Sequence, residues 1–183
     1  MLLNPEKACL VLIDMQEKIF PKMNNSKALL NNTKDLLKIA SFLKIPTILT
    51  EQGSKNLGST LYDIRDVVSS SLTVDKTTFS AYRTEAFVNI LEPYKNQGRN
   101  QIIIAGIEEH VCVLQTAFDL KDNGFIPFVA VDACSSREES SITYAEKRFV
   151  MNDIEMLTNE MIAFELLKDA KNPVFKDVLK VIK

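Results

Sequence analysis

Three side chains at positions 14, 76 and 112 have the types needed for a cysteine-based reaction. Asp14 follows the apolar run Ala8 to Ile13, Lys76 follows a short β-type segment, and Cys112 follows an isoleucine-rich segment. A thiolate is a strong nucleophile, a nearby ammonium group lowers the pKa of a thiol, and a carboxylate can move protons. The combination predicts nucleophilic catalysis if the fold brings the three groups together.

Each of these residues also has a simpler interpretation. Asp14 could cap a strand end, Lys76 could be a solvated surface charge, and Cys112 could be a small buried apolar residue. The context of Cys112 favours chemistry, because a predicted strand from Ile102 to Ala105 breaks at Gly106 and a helical pattern follows. Cys112 would then lie in the first turn of a helix, where free backbone N–H groups favour a thiolate.

The elements that must position these residues alternate between strand and helix. The predicted strands are Ala8 to Ile13, Thr47 to Thr50, Ser71 to Asp75, Ile102 to Ala105, Phe125 to Val131 and Ile154 to Leu157. The predicted helices are Ser26 to about Leu43, one starting at Thr84, the Cys112 helix, Ile142 to Met151, Glu160 to Leu167 and Phe175 to Ile182. A loop is predicted at Glu51 to Ser59, and a polar cluster lies at Asp132 to Ser141. Such alternation predicts one three-layer α/β domain with a mostly parallel sheet. The carboxyl ends of its strands would meet at one edge, where ligands bind.

Composition limits the classes of protein to consider. The 183 residues suit one domain, and a net charge of −2 argues against a nucleic-acid partner. Three widely spaced cysteines indicate reduced thiols in an intracellular protein. The start of the chain is not a convincing signal peptide, and no apolar run approaches the roughly 20 residues of a membrane span. We therefore expect a cytoplasmic protein with no membrane partner.

The sequence predicts no metal and no cofactor. His110 is the single histidine, and neighbouring positions on a helix point to different faces, so a Cys112–His110 dyad is not expected. One histidine cannot build a usual zinc site, and Cys9 lies at the opposite end of its strand from Asp14. Neither a GxGxxG motif nor a P-loop is present in the sequence.

Six segments spread along the chain carry a resemblance to a known family. They are LVLIDMQ around Asp14, TEQ at 50–52, DKTTFSAY around Lys76, AGIEEHVCVLQTAFDL around Cys112, VDACSSR at 131–137 and AFELLKDA at 163–170. Together they resemble the isochorismatase-like cysteine hydrolases, and in detail the isochorismatase domain-containing branch. The resemblance implies a single hydrolase domain over residues 1–183, with a six-stranded, Rossmann-like sheet of the isochorismatase type.

The resemblance also implies roles for individual residues. Asp14, Lys76 and Cys112 match the catalytic triad, and a cis peptide bond is implied between Ile107 and Glu108. The backbone N–H groups of Glu108 and Cys112 would form an oxyanion hole. Candidate residues of the substrate pocket are Phe20, Gln52, Phe79, Ile107 and Glu109.

The implied activity is hydrolysis of a small amide, ureide or related C–N substrate through a thioester, without a metal. Nicotinamidases of the family carry an Asp-x-His pair where this chain has Glu51-Gln52-Gly53, so that activity is disfavoured. Many relatives have threonine at the position of Glu109, and a carboxylate near the pocket leaves the substrate open. The alternative is a non-catalytic or redox-responsive binding protein on the same fold, because a low-pKa thiol oxidises readily and Glu109 could block the pocket.

A homo-oligomer, a dimer or tetramer, is also expected, because family members commonly form symmetric assemblies. The terminal helix carries an apolar stripe that either faces a partner or packs back onto its own chain: Val174, Phe175, Val178, Leu179 and Ile182. Phe118, on the helix after Cys112, is a second candidate contact.

Overall fold

The computed structural model describes residues 1–68 and 71–182 and is built on one six-stranded sheet. The strand order is β3-β2-β1-β4-β5-β6, and every neighbouring pair is parallel. The strands are β1 (Ala8–Ile13), β2 (Thr47–Gln52), β3 (Leu72–Lys76), β4 (Gln101–Ile107), β5 (Ile126–Ser135) and β6 (Glu155–Leu157). The α/β prediction with a parallel sheet is confirmed.

Helices connect the strands and cover both faces of the sheet. They are α1 (Ser26–Phe42), α2 (Ser54–Leu57), α3 (Tyr62–Arg65), α4 (Glu85–Asn96), α5 (Leu114–Asp122), α6 (Glu139–Met151), α7 (Asn159–Leu167) and α8 (Phe175–Ile182). Short 3-10 helices lie at Phe20–Lys22 and Ala81–Arg83, and a π-helix at Glu109–Val113 leads into α5.

Strand β1 shows why its sequence is a continuous apolar run. Leu10 and Leu12 pack into the core layer shared with α1 and α7, whereas Val11 and Ile13 pack into the layer shared with α4, α5 and α6. A central parallel strand has both faces covered, so every residue is apolar. Asp14 is placed directly after this run, at the carboxyl end of the middle of the sheet.

The prediction that the fourth strand breaks at Gly106 is wrong. Strand β4 continues through Gly106 to Ile107, and Gly106 pairs with Ile13 of β1. Gly106 has φ +116°, and a Cβ atom there would lie 2.1 Å from the carbonyl oxygen of Ile13. This glycine therefore permits close approach of β1 and β4 beside Asp14, rather than ending a strand.

Other element boundaries also differ from the sequence prediction. The predicted loop from Glu51 to Ser59 contains the last residues of β2 and the whole of α2, and strand β5 runs through the polar cluster as far as Ser135. Helix α1 begins at Ser26, as predicted, and Asn25 occupies its N-cap position in a left-handed conformation without a side-chain capping hydrogen bond. Helix α3 was not predicted, because its four residues are too few to show a period.

Both surfaces considered for a partner are in contact with their own chain. In α8, Val178 is buried, and it forms a core cluster with Ile39 of α1 and with Ala163 and Leu167 of α7. The ring of Phe118 packs edge-on against Phe149 of α6. The interpretation that the terminal stripe packs back onto its own chain is therefore correct.

Within residues 1–68 and 71–182, no helix has the length and apolar character needed to cross a bilayer.

Candidate active site

A buried ion pair joins the ends of β1 and β3. The Nζ atom of Lys76 lies 2.7 Å from Oδ2 of Asp14, and the two side chains are 0% and 2% exposed. Strand β2 lies between them, and its Gln52 contributes Oε1 at 2.7 Å from the same ammonium. The carbonyl oxygens of Thr78 and Phe79 lie at 3.2 and 3.3 Å. Such a set of acceptors offsets the cost of burying the ammonium group.

The carboxylate of Asp14 is also held from its other side. The hydroxyl of Thr50 donates to Oδ1 at 2.7 Å, because Thr50 is the register partner of Ile13 on the neighbouring strand. Asp14 itself has φ +51°, a left-handed conformation that aspartate adopts more readily than most residues. Thr50 was missed as a site residue, although its place at the carboxyl end of β2 is a usable signal.

Cys112 lies on the π-helix, and its side chain is 7% exposed. Its sulfur faces the carboxyl of Asp14 and the backbone N–H of Glu108. The structure therefore brings Cys112, Asp14 and Lys76 together at the carboxyl end of the sheet.

The pKa of the Cys112 thiol is raised to about 12. Burial is the main cause and the Asp14 carboxylate adds to it, whereas Lys76 and the N–H of Glu108 act in the opposite direction. The expectation of a thiolate stabilised by a helix start and a lysine is therefore wrong for the resting protein. The loss of hydration outweighs the favourable charges, and the thiol is neutral at pH 7.

Two further contacts fix the helix that carries Cys112. The hydroxyl of Thr116, one turn along, donates to the carbonyl oxygen of Cys112 at 2.6 Å. The same hydroxyl accepts the backbone N–H of Ala81 at 2.9 Å. Because Ala81 follows Lys76 by only a few residues, this link connects the helix that carries Cys112 to the segment that carries Lys76.

The peptide bond between Ile107 and Glu108 is cis, at the position that the resemblance implies. The Glu108 N–H points toward the sulfur of Cys112, where the oxygen of a bound carbonyl group would develop charge. The role of the Cys112 N–H as a second donor stays a prediction.

The pocket candidates occupy different environments. Gln52 touches the lysine, and Phe79 is an exposed ring whose own carbonyl group accepts a hydrogen bond from Lys76. Phe20 is half-buried and packs against the core on the α1 side. Ile107 is fully buried in that core, so its side chain does not line a substrate pocket.

Glu109 lies close enough to Glu146 and Cys134 for their charges to interact. It is fully buried, and neither carboxylate oxygen has a hydrogen-bond partner among the described residues. Burial and the charge of Glu146 on α6 raise the pKa of Glu109 to about 8, and Glu109 in turn raises the pKa of Cys134 on β5. That Glu109 lines or blocks the pocket beside Cys112 stays a prediction.

A cavity of about 620 Å³ lies at the amino-terminal end of the sheet, opposite Asp14, and is lined by Pro46, Thr47 and Leu72 among others. None of the candidate site residues lines it. Among the described residues, no three His, Cys, Asp or Glu side chains are grouped closely enough to hold a metal ion.

Comparisons with known proteins agree with this fold. The sequence-family model of the isochorismatase domain matches residues 8–160 of this chain. Isochorismatase domain-containing protein 2 of Rattus norvegicus is 34% identical over 180 residues, which cover 98% of this chain and 82% of the rat protein.

Two solved structures have similar folds. The structure of the MAR1 ribonuclease from Caenorhabditis elegans has a TM-score of 0.92 and 32% identity, covering 100% of this chain and 92% of its own. The YcaC gene product from Escherichia coli, described as an octameric hydrolase of unknown specificity, has a TM-score of 0.89 and 23% identity, covering 100% of this chain and 95% of its own.

Proposed function

Because this chain belongs to the isochorismatase family, we propose that it is a cysteine-dependent hydrolase of a small amide, ureide or related C–N substrate. The observation that carries the proposal is the placement of the Cys112 thiol against the Asp14 carboxylate, which Lys76 holds at 2.7 Å. A thiol beside a fixed base is the arrangement that covalent acyl transfer requires.

In the first half-reaction, Asp14 takes the proton of Cys112 as the sulfur bonds to the substrate carbonyl carbon. The carbonyl π electrons move to oxygen, and the resulting oxyanion accepts the N–H of Glu108. The oxyanion then collapses, the C–N bond breaks, and Asp14 returns the proton to the leaving nitrogen. The products of this half are the free amine and a thioester on Cys112.

In the second half-reaction, Asp14 takes a proton from water while the water oxygen attacks the thioester carbonyl. The C–S bond breaks, the acid product leaves, and the proton passes from Asp14 to the sulfur. Lys76 holds the Asp14 side chain in place through both halves by the contact at 2.7 Å. No stable thiolate is needed, in agreement with the raised pKa of Cys112.

The substrate class follows from burial and charge. Asp14, Lys76 and Cys112 are nearly inaccessible, which favours a substrate of few atoms. The C. elegans neighbour is described as a ribonuclease, but for this chain we propose a small molecule, because its net charge is −2. RNA binding depends on neutralising many phosphates with basic side chains.

The test compares wild type with Cys112→Ala and Cys134→Ala, using a panel of small amides and ureides in buffer containing EDTA. Wild type and Cys134→Ala should hydrolyse the same substrates without added metal, and Cys112→Ala should lose about 1000-fold or more in rate. Cys134→Ala is the matched control, since Cys134 is another buried thiol of the same sheet edge.

Undiminished activity in Cys112→Ala would show that the nucleophile is misassigned. Loss of activity in EDTA with recovery on adding zinc or manganese would refute a metal-independent mechanism. Intact-mass spectrometry addresses the redox-responsive alternative: reversible peroxide oxidation of Cys112, with no acyl adduct from any substrate, would favour that function. The raised thiol pKa argues against it, because the thiolate is the readily oxidised form.

We further propose a homo-oligomer, with α6 as the contact surface. Its residues Tyr144, Val150 and Met151 are large, apolar or aromatic, and exposed. Clusters of such residues are typical of protein–protein contacts.

A further inference from the structure

We infer that Arg137 and Ser136, at the end of β5, are positioning residues that aim the backbone N–H of Glu108 at the reacting carbonyl oxygen. This inference rests on the proposed hydrolase function. Arg137 contacts Glu108, and Ser136 contacts His110, two residues after Glu108 in the chain.

The side chain of Glu108 is tied to Arg137. The Nε atom of Arg137 donates to Oε1 of Glu108 at 2.9 Å, and the backbone N–H of Arg137 points to the same oxygen at 3.4 Å. The Glu108 side chain is only 11% exposed, although the arginine is 59% exposed. The glutamate is therefore directed to one place on β5 rather than into solvent.

Ser136, the residue directly before Arg137, makes a second connection to the start of the π-helix. Its hydroxyl is hydrogen-bonded to Nδ1 of His110 at 2.8 Å, and the backbone N–H of His110 points to it at 3.4 Å. Ser136 is fully buried, and its carbonyl oxygen accepts the backbone N–H of Asn24 at 2.9 Å. The π-helix start is thus anchored to β5 and, through it, to the segment before α1.

These contacts leave the Glu108 peptide little freedom to rotate. On the helical side, its carbonyl oxygen accepts the N–H groups of Val111 and Val113 at 3.1 and 3.2 Å. On the opposite side, Arg137 holds its side chain. Because the carbonyl oxygen and the side chain of Glu108 are both held, its backbone N–H stays directed toward the sulfur of Cys112. Preorganised donors of this kind are effective because they need no rearrangement during the reaction.

The inferred role predicts a selective defect. Because the Arg137 side chain is 59% exposed and most of its surface contacts solvent, its replacement should leave the fold intact. It should slow reactions that develop an oxyanion and spare reactions of the same sulfur that do not. Acylation by p-nitrophenyl acetate belongs to the first kind, since the sulfur adds to the carbonyl before p-nitrophenolate leaves. Alkylation by iodoacetamide belongs to the second, since the sulfur displaces iodide directly from carbon.

The experiment measures both rates for Cys112 in wild type, Arg137→Gln, Arg137→Lys and Ser136→Ala, with intact mass confirming the modified species. The acylation rate should fall about tenfold in Arg137→Gln and Ser136→Ala, part of the 100-fold or more that loss of a whole oxyanion donor costs. The alkylation rate should stay within about twofold in each variant, and Arg137→Lys should recover most of the acylation rate, because it can keep one charge-assisted contact. Arg83→Gln is the matched control: Arg83 is 63% exposed and pairs with Asp119 at 2.7 Å, outside the proposed site.

Unchanged acylation in Arg137→Gln would overturn the inference, as would an equal fall in acylation and alkylation, which would indicate general loosening of the structure. A similar acylation defect in Arg83→Gln would also overturn it. The proposed function fails in a different way: wild type would show no acylation that Cys112→Ala abolishes, and the inference would then fall with it.

Discussion

Replacing Glu109 with glutamine should stabilise the protein, and by more at pH 8 than at pH 5. Glu109 is a fully buried carboxyl without a hydrogen-bond partner in the described residues, and Glu146 adds like-charge repulsion. Both effects disfavour its ionised form and raise the pKa to about 8 from an ordinary 4.5. Cys134, the other titratable group beside it, has a pKa raised well above its usual value and stays neutral in this range.

The sign and size follow from proton linkage. With the folded pKa above the unfolded pKa, the stability associated with protonated Glu109 is fully present below about pH 4.5 and is lost as the pH rises through about 8. The free-energy loss from these two pKa values is about 1 kcal/mol at pH 5, about 3 kcal/mol at pH 7 and about 5 kcal/mol at pH 9. Glutamine has nearly the same shape and does not ionise, so it removes this pH dependence.

The assay is urea unfolding followed by circular dichroism between pH 5 and pH 9, with the free energy of unfolding compared at each pH. The difference between Glu109→Gln and wild type cancels the titration of other groups. Glu146→Gln should reproduce part of the effect, because it removes the repelling charge. Glu6→Gln, at an exposed position, is the matched control and should leave the pH dependence unchanged.

A constant difference between Glu109→Gln and wild type across this range would refute the reasoning. It would mean that the Glu109 carboxyl ionises in the folded protein as easily as in the unfolded chain. A pH-dependent difference of opposite sign would mean that the ionised carboxylate has a favourable partner.

Two other predictions concern the triad and the assembly. In Asp14→Asn, the pKa of Cys112 should fall, because the charge and hydrogen bonding of Asp14 raise it while Lys76 remains to lower it. Iodoacetamide should therefore modify Cys112 about tenfold faster at pH 7, while amide hydrolysis is lost. Slower alkylation would contradict the inference that Asp14 raises the pKa of Cys112. Sedimentation equilibrium at micromolar concentration should give a mass above the monomer value of 20.6 kDa, and Met151→Glu should reduce it. A single wild-type species at 20.6 kDa would rule out a stable oligomer.

The layered fold could be predicted from local sequence patterns. The apolar run Ala8 to Ile13 has the bounds of β1, because a strand buried on both faces is apolar at every position. The segment Phe175 to Ile182 has the bounds of α8, because a helix buried on one side has apolar residues at helical spacing. The positions of Asp14 and Lys76 at strand ends followed from the same patterns. A parallel sheet then requires those ends to share an edge. The same patterns predicted Cys112 in the first turn of a helix after the fourth strand, and the resemblance added its role in a triad.

Local patterns did not determine where side chains point or how deeply they are buried. Cys112 looked like a thiolate from its helix position and lysine partner, yet burial raises its pKa to about 12. The resemblance made Glu109 a pocket candidate, but it gave no sign that the charge of Glu146, 37 positions further along the chain, acts on this carboxyl. The contacts of Thr50 with Asp14 and of Arg137 with Glu108 likewise join segments far apart in sequence. Hydration and long-range approach are properties of the packed chain, so only the tertiary structure decides them.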